Sequence, residues 1–535
     1  DADMLPQCSK VKTPSRPPLR RMACATVRGR SPAGVREYAR MSTPAHLIAW
    51  TISLLALGGA AVRIASLVAP RGLERMVAAA PLLGALAVAE TLLLATVSLG
   101  SDTAVLAGAA IVTWLVVRWR VPAPIRPLIG DAARSLSRMG RGEVVALGAA
   151  GGLMAFLAVW ALRHPAVGLD ASIYHYVDVN VWIHNGRPGS VVPISYDYPF
   201  GNYPLTNEVW LTWNAALARS WVPLSLWAAA AFPLAGCGLW LAARTLGAGR
   251  LAAAGVVALL LCIPYLSIQL AEPLTDVPML AWLACAVALA LRSRERPGLL
   301  VPAIVAGGLA VGTKTPALMP VLVTLAVFLW VGRRQLWRLR VPLLAAAGLA
   351  IVVGAPWYLR NLISHGSPFW PFVATSWGDP VPPLLKETVG FSFFQRPGET
   401  LRASGSGVLE TGLAGGVVVL VAGILGGLLD RRREVLILSG TALLALLLWL
   451  GAPGSGVPDP PVFLVAEWPI STSRYVVPGI GAAALALATM SARPTWPGRG
   501  ALLVLAGCAG WNVVVTFTRG LPWMPPVSRS PSASS

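Results

Sequence analysis

Long apolar runs separated by short polar breaks organise almost the whole chain. A bilayer-crossing helix needs roughly 20 mostly apolar residues, and about fourteen runs approach that length. They lie near 45–68, 77–98, 103–117, 144–162, 222–243, 251–270, 276–291, 298–312, 316–331, 341–359, 411–428, 435–451, 475–491 and 501–517. The pattern predicts an all-α, polytopic integral membrane protein. Three stretches, 163–221, 360–410 and 452–474, are too long and too polar to be turns.

Basic residues in the short breaks set an expected orientation, because cytoplasmic loops carry the excess of Lys and Arg. The break 118–142 holds Arg118, Arg120, Arg126, Arg134, Arg138 and Arg141. Alternation from there puts Arg244/Arg250, Arg292/Arg294/Arg296, Arg333/Arg334/Arg338/Arg340, Arg431/Arg432/Arg433 and Arg493/Arg499 on the same inner side. The short loops of the other face hold one basic residue, Lys314, and all three long loops fall on that outer face. The expected location is a bacterial inner or plasma membrane, with the functional face extracytoplasmic.

Composition agrees with this. Of 535 residues, 56% are apolar and 12% charged, where soluble domains carry about 25% charged residues. Three or four soluble domains are thereby excluded, as the mean hydropathy of +0.66 also indicates. The net charge of +20 does not indicate nucleic acid. It is spread in small arginine groups between apolar runs, with no RNA-binding motif, zinc spacing or long basic stripe. Cys237, Cys262, Cys285 and Cys508 fall inside apolar runs, where a thiol acts as a small hydrophobe, so no disulfide framework is implied.

The chain divides into four parts. Residues 1–40 hold nine basic and three acidic residues without apolar periodicity. They are expected to be disordered or a non-native upstream extension, with synthesis beginning at Met41; the rival is a genuine cytoplasmic tail with one span miscounted. Residues 41–142 carry three additional spans, 143–492 a core with the three outer loops, and 493–535 the last span and a polar tail.

Several ionisable groups converge on the expected outer face. Asp170 stands where the fourth span ends, followed by Tyr174 and His175. Ile173, Tyr174, Val177, Val181 and Trp182 space as one face of a helix over 171–184, and Trp210, Trp213, Leu217 and Trp221 mark a second over 205–221. Aromatic-rich amphipathic helices of this kind lie in the membrane interface, so the pair is expected to roof the site. AEPLTDVP places Glu272 and Asp276 four residues apart on one helical side. GLAVGTKTP brings Lys314, PWYLRN brings Arg360, and STSRY brings Arg474. Each has an ordinary alternative: Asp170 as a helix cap, Lys314 snorkelling to headgroups, Arg360 pairing with headgroup phosphate. Ionisable groups at a membrane edge are nevertheless functional candidates by default.

Two mechanisms can use such a face. A carboxylate can serve as general base on an acceptor hydroxyl while Arg or Lys stabilises a departing lipid phosphate. Alternatively, the charges line the route of a lipid-linked sugar flippase or transporter without catalysis.

The order of an acidic residue before YH in the first outer loop, TDVP opening a span, GLAVGTK, PWYLRN with SPFWPF, and a late RY resembles the polytopic C-type glycosyltransferases. The bacterial branch related to protein O-mannosyltransferases, aminoarabinose transferases and rhizobial core-sugar transferases is the nearest in look. The resemblance covers roughly 143–490, and PWYLRN with SPFWPF is its most specific piece. It implies inverting transfer of a sugar from a polyprenyl phosphate to an extracytoplasmic glycan, lipid or protein, with no nucleic acid partner. It implies Asp170 as base, Glu272 and Asp276 orienting the acceptor or a cation, and Lys314, Arg360 and Arg474 binding the donor phosphate. Ala171 replaces the second carboxylate found in many members. That leaves Asp170 alone, makes a divalent cation optional rather than required, and admits a chain that has lost catalysis.

Overall fold

The computed structural model describes residues 43–125, 127–137, 140–163, 170–192, 200–267, 269, 274–383, 385–386, 392–398, 400, 413–454, 468 and 472–519. The expectation about residues 1–40 lies outside them. Every regular element among the described residues is helical. In chain order the helices of ten or more residues are α1 (Pro44–Ser66), α2 (Gly72–Ala95), α3 (Thr103–Arg120), α4 (Leu128–Ser137), α5 (Arg141–Arg163), α6 (Tyr176–Asn185) and α7 (Thr206–Ala218). There follow α8 (Val222–Thr245), α9 (Arg250–Leu261), α10 (Asp276–Arg292), α11 (Leu300–Thr313), α12 (Leu318–Leu336), α13 (Arg340–Gly354) and α14 (Pro356–His365). The chain closes with α15 (Ala414–Leu429), α16 (Arg433–Leu450), α17 (Val477–Met490) and α18 (Trp496–Arg519).

The protein is an all-α membrane protein. Among the described residues nine helices are long and apolar enough to cross a membrane: α1, α2, α3, α8, α12, α13, α16, α17 and α18, some with an adjoining 3-10 turn. Each of the fourteen apolar runs contains a helix, but several are shorter than the run suggests. α9, α11 and α15 have 12, 14 and 16 residues. At 1.5 Å per residue, 12 residues span about 18 Å, well short of a hydrocarbon core of about 30 Å. Local sequence stops them: α9 ends before Pro264 and α11 before Pro316, and the residue preceding a proline disfavours helical geometry.

α10 and α17 lie at the centre. All fourteen residues of α17 are buried, as are nearly all of α10, the pattern of a helix apolar on every side. α10 packs between α8 and α11, α17 between α15 and α16, and α2 rests on α7, α8, α10, α11 and α13. The helices of 41–142 therefore join the same packed body as the rest.

The second amphipathic stretch does not lie in an interface. All thirteen residues of α7 are buried, against α1, α2, α3, α8 and α11. Its polar residues find partners inside the protein: Thr206 donates to the Val353 carbonyl (2.5 Å), Trp50 to Asn214 (2.9 Å) and Trp227 to Asn207 (3.1 Å). A helix whose polar side is hydrogen-bonded internally needs no water face, so the periodicity of its tryptophans reported packing instead of lipid contact.

The two ends of the bundle differ in charge. At the end where α2 starts and α10 finishes, Glu74 pairs with Arg292 (3.3 Å) and Arg296 (2.6 Å), Arg75 with Asp131 (2.7 Å), and Arg294 with Glu434 (2.9 Å). These are the arginines that the short breaks supply. The opposite end, where α10 starts and α11 finishes, holds the polar cavity described below.

Small residues bring α11 and α13 together. A methyl on Gly308 would meet the Ala350 Cα at 2.7 Å, and one on Gly354 the Gly308 carbonyl oxygen at 2.4 Å. Such backbone-to-backbone approach is how membrane helices associate without a hydrophobic driving force. Gly308→Val should therefore lower stability by about 2 kcal/mol or more, since overpacking typically costs 1–3 kcal/mol and backbone cannot move aside. Gly348, on α13 with open space around its Cα, is the control. Thermal melting in detergent should separate Gly308→Val from a near-neutral Gly348→Val.

Candidate functional site

Asp170 enters the site through an unusual turn. Residues Ala171–His175 form one turn of π-helix, in which the Tyr176 N–H donates to the Ala171 carbonyl five residues back. In an α-helix of 3.6 residues per turn, positions 170 and 175 would stand about 140° apart. The wider turn brings them round, and Asp170, Tyr174 and His175 all line one cavity of about 590 Å³. The same turn shifts the buried face of α6 to Asp178, Val179, Trp182 and Ile183. Such turns recur at functional sites. Asp170 makes no side-chain cap hydrogen bond, so it is not a helix cap here.

Two cations reach the cavity from other elements. Arg474 sits in the 3-10 turn Ser473–Val476 that opens α17. Thr472, which donates to the Trp468 carbonyl (2.5 Å) and accepts from Trp449 (3.1 Å), holds that turn. Arg474 Nη1 donates to Asp170 Oδ2 (3.0 Å) and to the Tyr265 hydroxyl (3.2 Å). Lys314 follows the last residue of α11 in extended conformation, and its ammonium pairs with Asp276 Oδ1 at 2.5 Å. The second Asp276 oxygen accepts from Gln269 (3.0 Å). Lys314 and Arg474 both approach the Tyr475 ring, each 5.8 Å from its centroid. Lys314 is thus committed to a carboxylate and does not snorkel.

Burial opposes a charge on Asp170, but Arg474 beside it, by its charge and its hydrogen bond, outweighs that and holds the carboxyl below the usual carboxylate range. The cavity at rest therefore contains two acid–base pairs of opposite charge, Asp170–Arg474 and Asp276–Lys314, with no net charge between them. An anionic ligand entering has two cations to compete for and no desolvated lone charge to neutralise.

Arg360 stands elsewhere. It lies on α14, and its guanidinium donates to the Gly189 (3.2 Å) and Gly201 (2.6 Å) carbonyls over the face of Trp357. Its neighbour Asn361 donates to the carbonyls of Asn202 (2.8 Å) and Trp370 (2.9 Å). The Arg–Asn pair clasps segments of the first and second long loops, and Phe369, Trp370 and Phe372 of the SPFWPF run roof the cavity. Glu272 lies outside the described residues. The structure therefore brings together Asp170, Tyr174, His175, Lys314 and Arg474, sets Asp276 behind Lys314, and gives Arg360 a fastening position.

Two buried acids escaped the sequence reading. Glu208 on α7 is fully buried and bonds His175 Nδ1. Asp178 on α6 is fully buried, and among the described residues neither of its oxygens has a hydrogen-bond partner. Burial, then the nearby Glu208 charge, pushes Asp178 up to about 8 against the opposing pull of Arg360. Their signal was an acid inside otherwise apolar, aromatic-rich periodicity, YVDVNVW and TNEVWLTW. Among the described residues, no three His, Cys, Asp or Glu side chains gather as metal ligands.

Comparison with protein-family models, with curated proteins and with solved structures found no match.

A raised carboxyl makes the folded state bind a proton that the unfolded chain releases near its ordinary value of 3.8. Its contribution to stability is complete below about pH 4 and is lost as pH rises through 8. The melting temperature of wild type minus that of Asp178→Asn should accordingly be greater at pH 5 than at pH 9. An equal difference at both would show that Asp178 does not hold its proton. Arg360→Ala should cost about 2 kcal/mol in thermal melts, the scale of charge-assisted hydrogen bonds left unmade, by releasing the loop clasp.

Proposed function

We propose that the cavity transfers a sugar from a polyprenyl phosphate to an extracytoplasmic acceptor hydroxyl, with inversion. The observation that carries the reading is the meeting of one carboxylate, Asp170, with two cations, Arg474 and Lys314, in a cavity that continues into apolar surroundings. Next to it lies an apolar cleft of about 140 Å³ between α8, α10, α12, α16 and α17. The two share Val323 and Pro478. A ligand with a charged head and a long apolar chain suits such a pair of spaces.

In this reading the donor phosphate takes Arg474 and Lys314 as counter-ions, which frees Asp170 from its ion pair. The acceptor oxygen attacks the anomeric carbon, its proton passes to Asp170, and the bond to the phosphate oxygen breaks with its electron pair. The cations offset the charge that grows on the leaving phosphate, where fixed donors in a water-poor site act most strongly. Asp276 orients Lys314, and Arg360 holds the roof instead of touching the phosphate. The arginine-rich end would face the cytoplasm, which puts this chemistry at the outer leaflet.

Transfer of radiolabel from a panel of polyprenyl-phosphate sugars, in purified membranes, tests the proposal. Wild type should label an acceptor. Asp170→Asn should lower kcat by at least about 100-fold, the scale of general-base catalysis, while still binding donor. Arg474→Ala should weaken donor binding about 10- to 100-fold, as expected for a lost charge-assisted bond. Labelled lipid changing leaflet equally in wild type and Asp170→Asn, with no label transferred, would replace transfer by transport.

A further inference from the structure

The base inferred above has a difficulty that the neighbouring residues address. Asp170 can return to its ion pair with Arg474 only after passing on the proton that it took, so a neighbouring group able to receive that proton near the working pH completes the cycle. The π turn places His175 on the cavity wall with Asp170, against the Tyr174 ring at 4.0 Å between centroids. His175 Nδ1 is engaged by Glu208, which has no exposure and whose second oxygen has no partner among the described residues. With Nδ1–H donated to a carboxylate, the lone pair of the ring stays on Nε2. A carboxylate in this position fixes tautomer and ring orientation and stabilises the imidazolium.

We propose that His175 and Glu208 form a buried dyad that receives the acceptor proton from Asp170: His175 Nε2 takes it and Glu208 stabilises the resulting cation. The inference rests on the glycosyl-transfer reading. In the balance of the step, the acceptor O–H bond breaks, the new glycosidic C–O bond forms, and the phosphate leaves with the electron pair of its C–O bond. The proton ends on Nε2, and Asp170 returns to its ionised form. Glu208 is a positioning residue, since it acts through the ring and does not touch substrate.

Other groups around the dyad are consistent with this. Asp170 and Tyr174 lie on its own turn, Asp178 on α6, Arg360 on α14, and Lys314 and Arg474 across the cavity. Asp178 holds its proton at neutral pH, so it adds no second buried negative charge beside Glu208. The dyad thus has one anion to balance one imidazolium.

The test compares wild type, His175→Gln, His175→Gly and Glu208→Gln in the transfer assay, with donor binding measured separately and with the pH dependence of kcat. Both Gln variants should lose about 100-fold or more in kcat with the donor dissociation constant within about threefold of wild type. Glu208→Gln should also move the acid limb of the kcat–pH profile, and added imidazole should restore turnover to His175→Gly. Variants as active as wild type, with an unmoved profile, would overturn the dyad and leave the transfer reading standing. Loss of donor binding together with turnover, without imidazole rescue, would make the pair a structural strut and overturn it too. A wild type that labels no acceptor from any donor would remove the transfer reading and the dyad with it.

Discussion

The Asp170–Arg474 ion pair joins positions 304 residues apart in a bundle whose walls are almost wholly apolar. Partial burial opposes a lone charge at either position, more at Arg474 than at Asp170, because desolvating an ion costs several kcal/mol even after relaxation. The pair therefore fixes where the first long loop must meet the start of α17. Lys314 and Asp276 repeat the arrangement between α11 and α10, and Tyr475 lies against both cations. Four chain regions are locked to one another at one end of the bundle by charge neutralisation.

Packing supports that end from behind. α10 and α17, the two central helices, each present their N-terminal turn to the cavity, and α7 is buried beneath it. Trp210, Trp213, Trp227 and Trp282 pack ring against ring at centroid distances of 5.3–5.7 Å from α7 through α8 to α10, two pairs stacked and Trp210–Trp227 edge-on. The Arg360–Asn361 clasp closes the opposite side with bonds to four backbone carbonyls. Side chains whose partners are fixed by such contacts are held in one arrangement around the cavity.

The two ends of the bundle use arginine differently. At the end where α10 finishes, the half-exposed Arg296 and Arg294 pair with Glu74 and Glu434, and such pairs contribute little individually, whereas Arg75 and Asp131 are enclosed. At the cavity end, Arg474 and Lys314 are nearly enclosed and each has an acid at hydrogen-bond distance. What separates them is access: Arg474 and Asp170 line the large cavity and keep partial exposure, whereas Arg75 has none.

The helical class and the membrane character were legible in the chain itself, because apolar runs near membrane length and sparse charge admit few other folds. So was the gathering of Asp170, Lys314 and Arg474 at one cavity, since helices that alternate in direction bring every second break to the same end of a bundle. Helix length was not legible: a composition reads the same whether α9 stops after 12 residues or runs on, and prolines with site geometry decided that. Nor was the burial of α7, whose tryptophan spacing is equally compatible with lipid and with protein until its polar side meets Val353 and Trp50. Arg360 looked like a phosphate ligand until carbonyls two loops away engaged it. Glu208 and Asp178 drew no notice because a carboxylate in an apolar pattern acquires meaning only from what stands next to it. Periodicity along one chain determines which side of a helix is apolar; which neighbour that side meets, and which charge finds a partner, is decided when helices distant in sequence pack together.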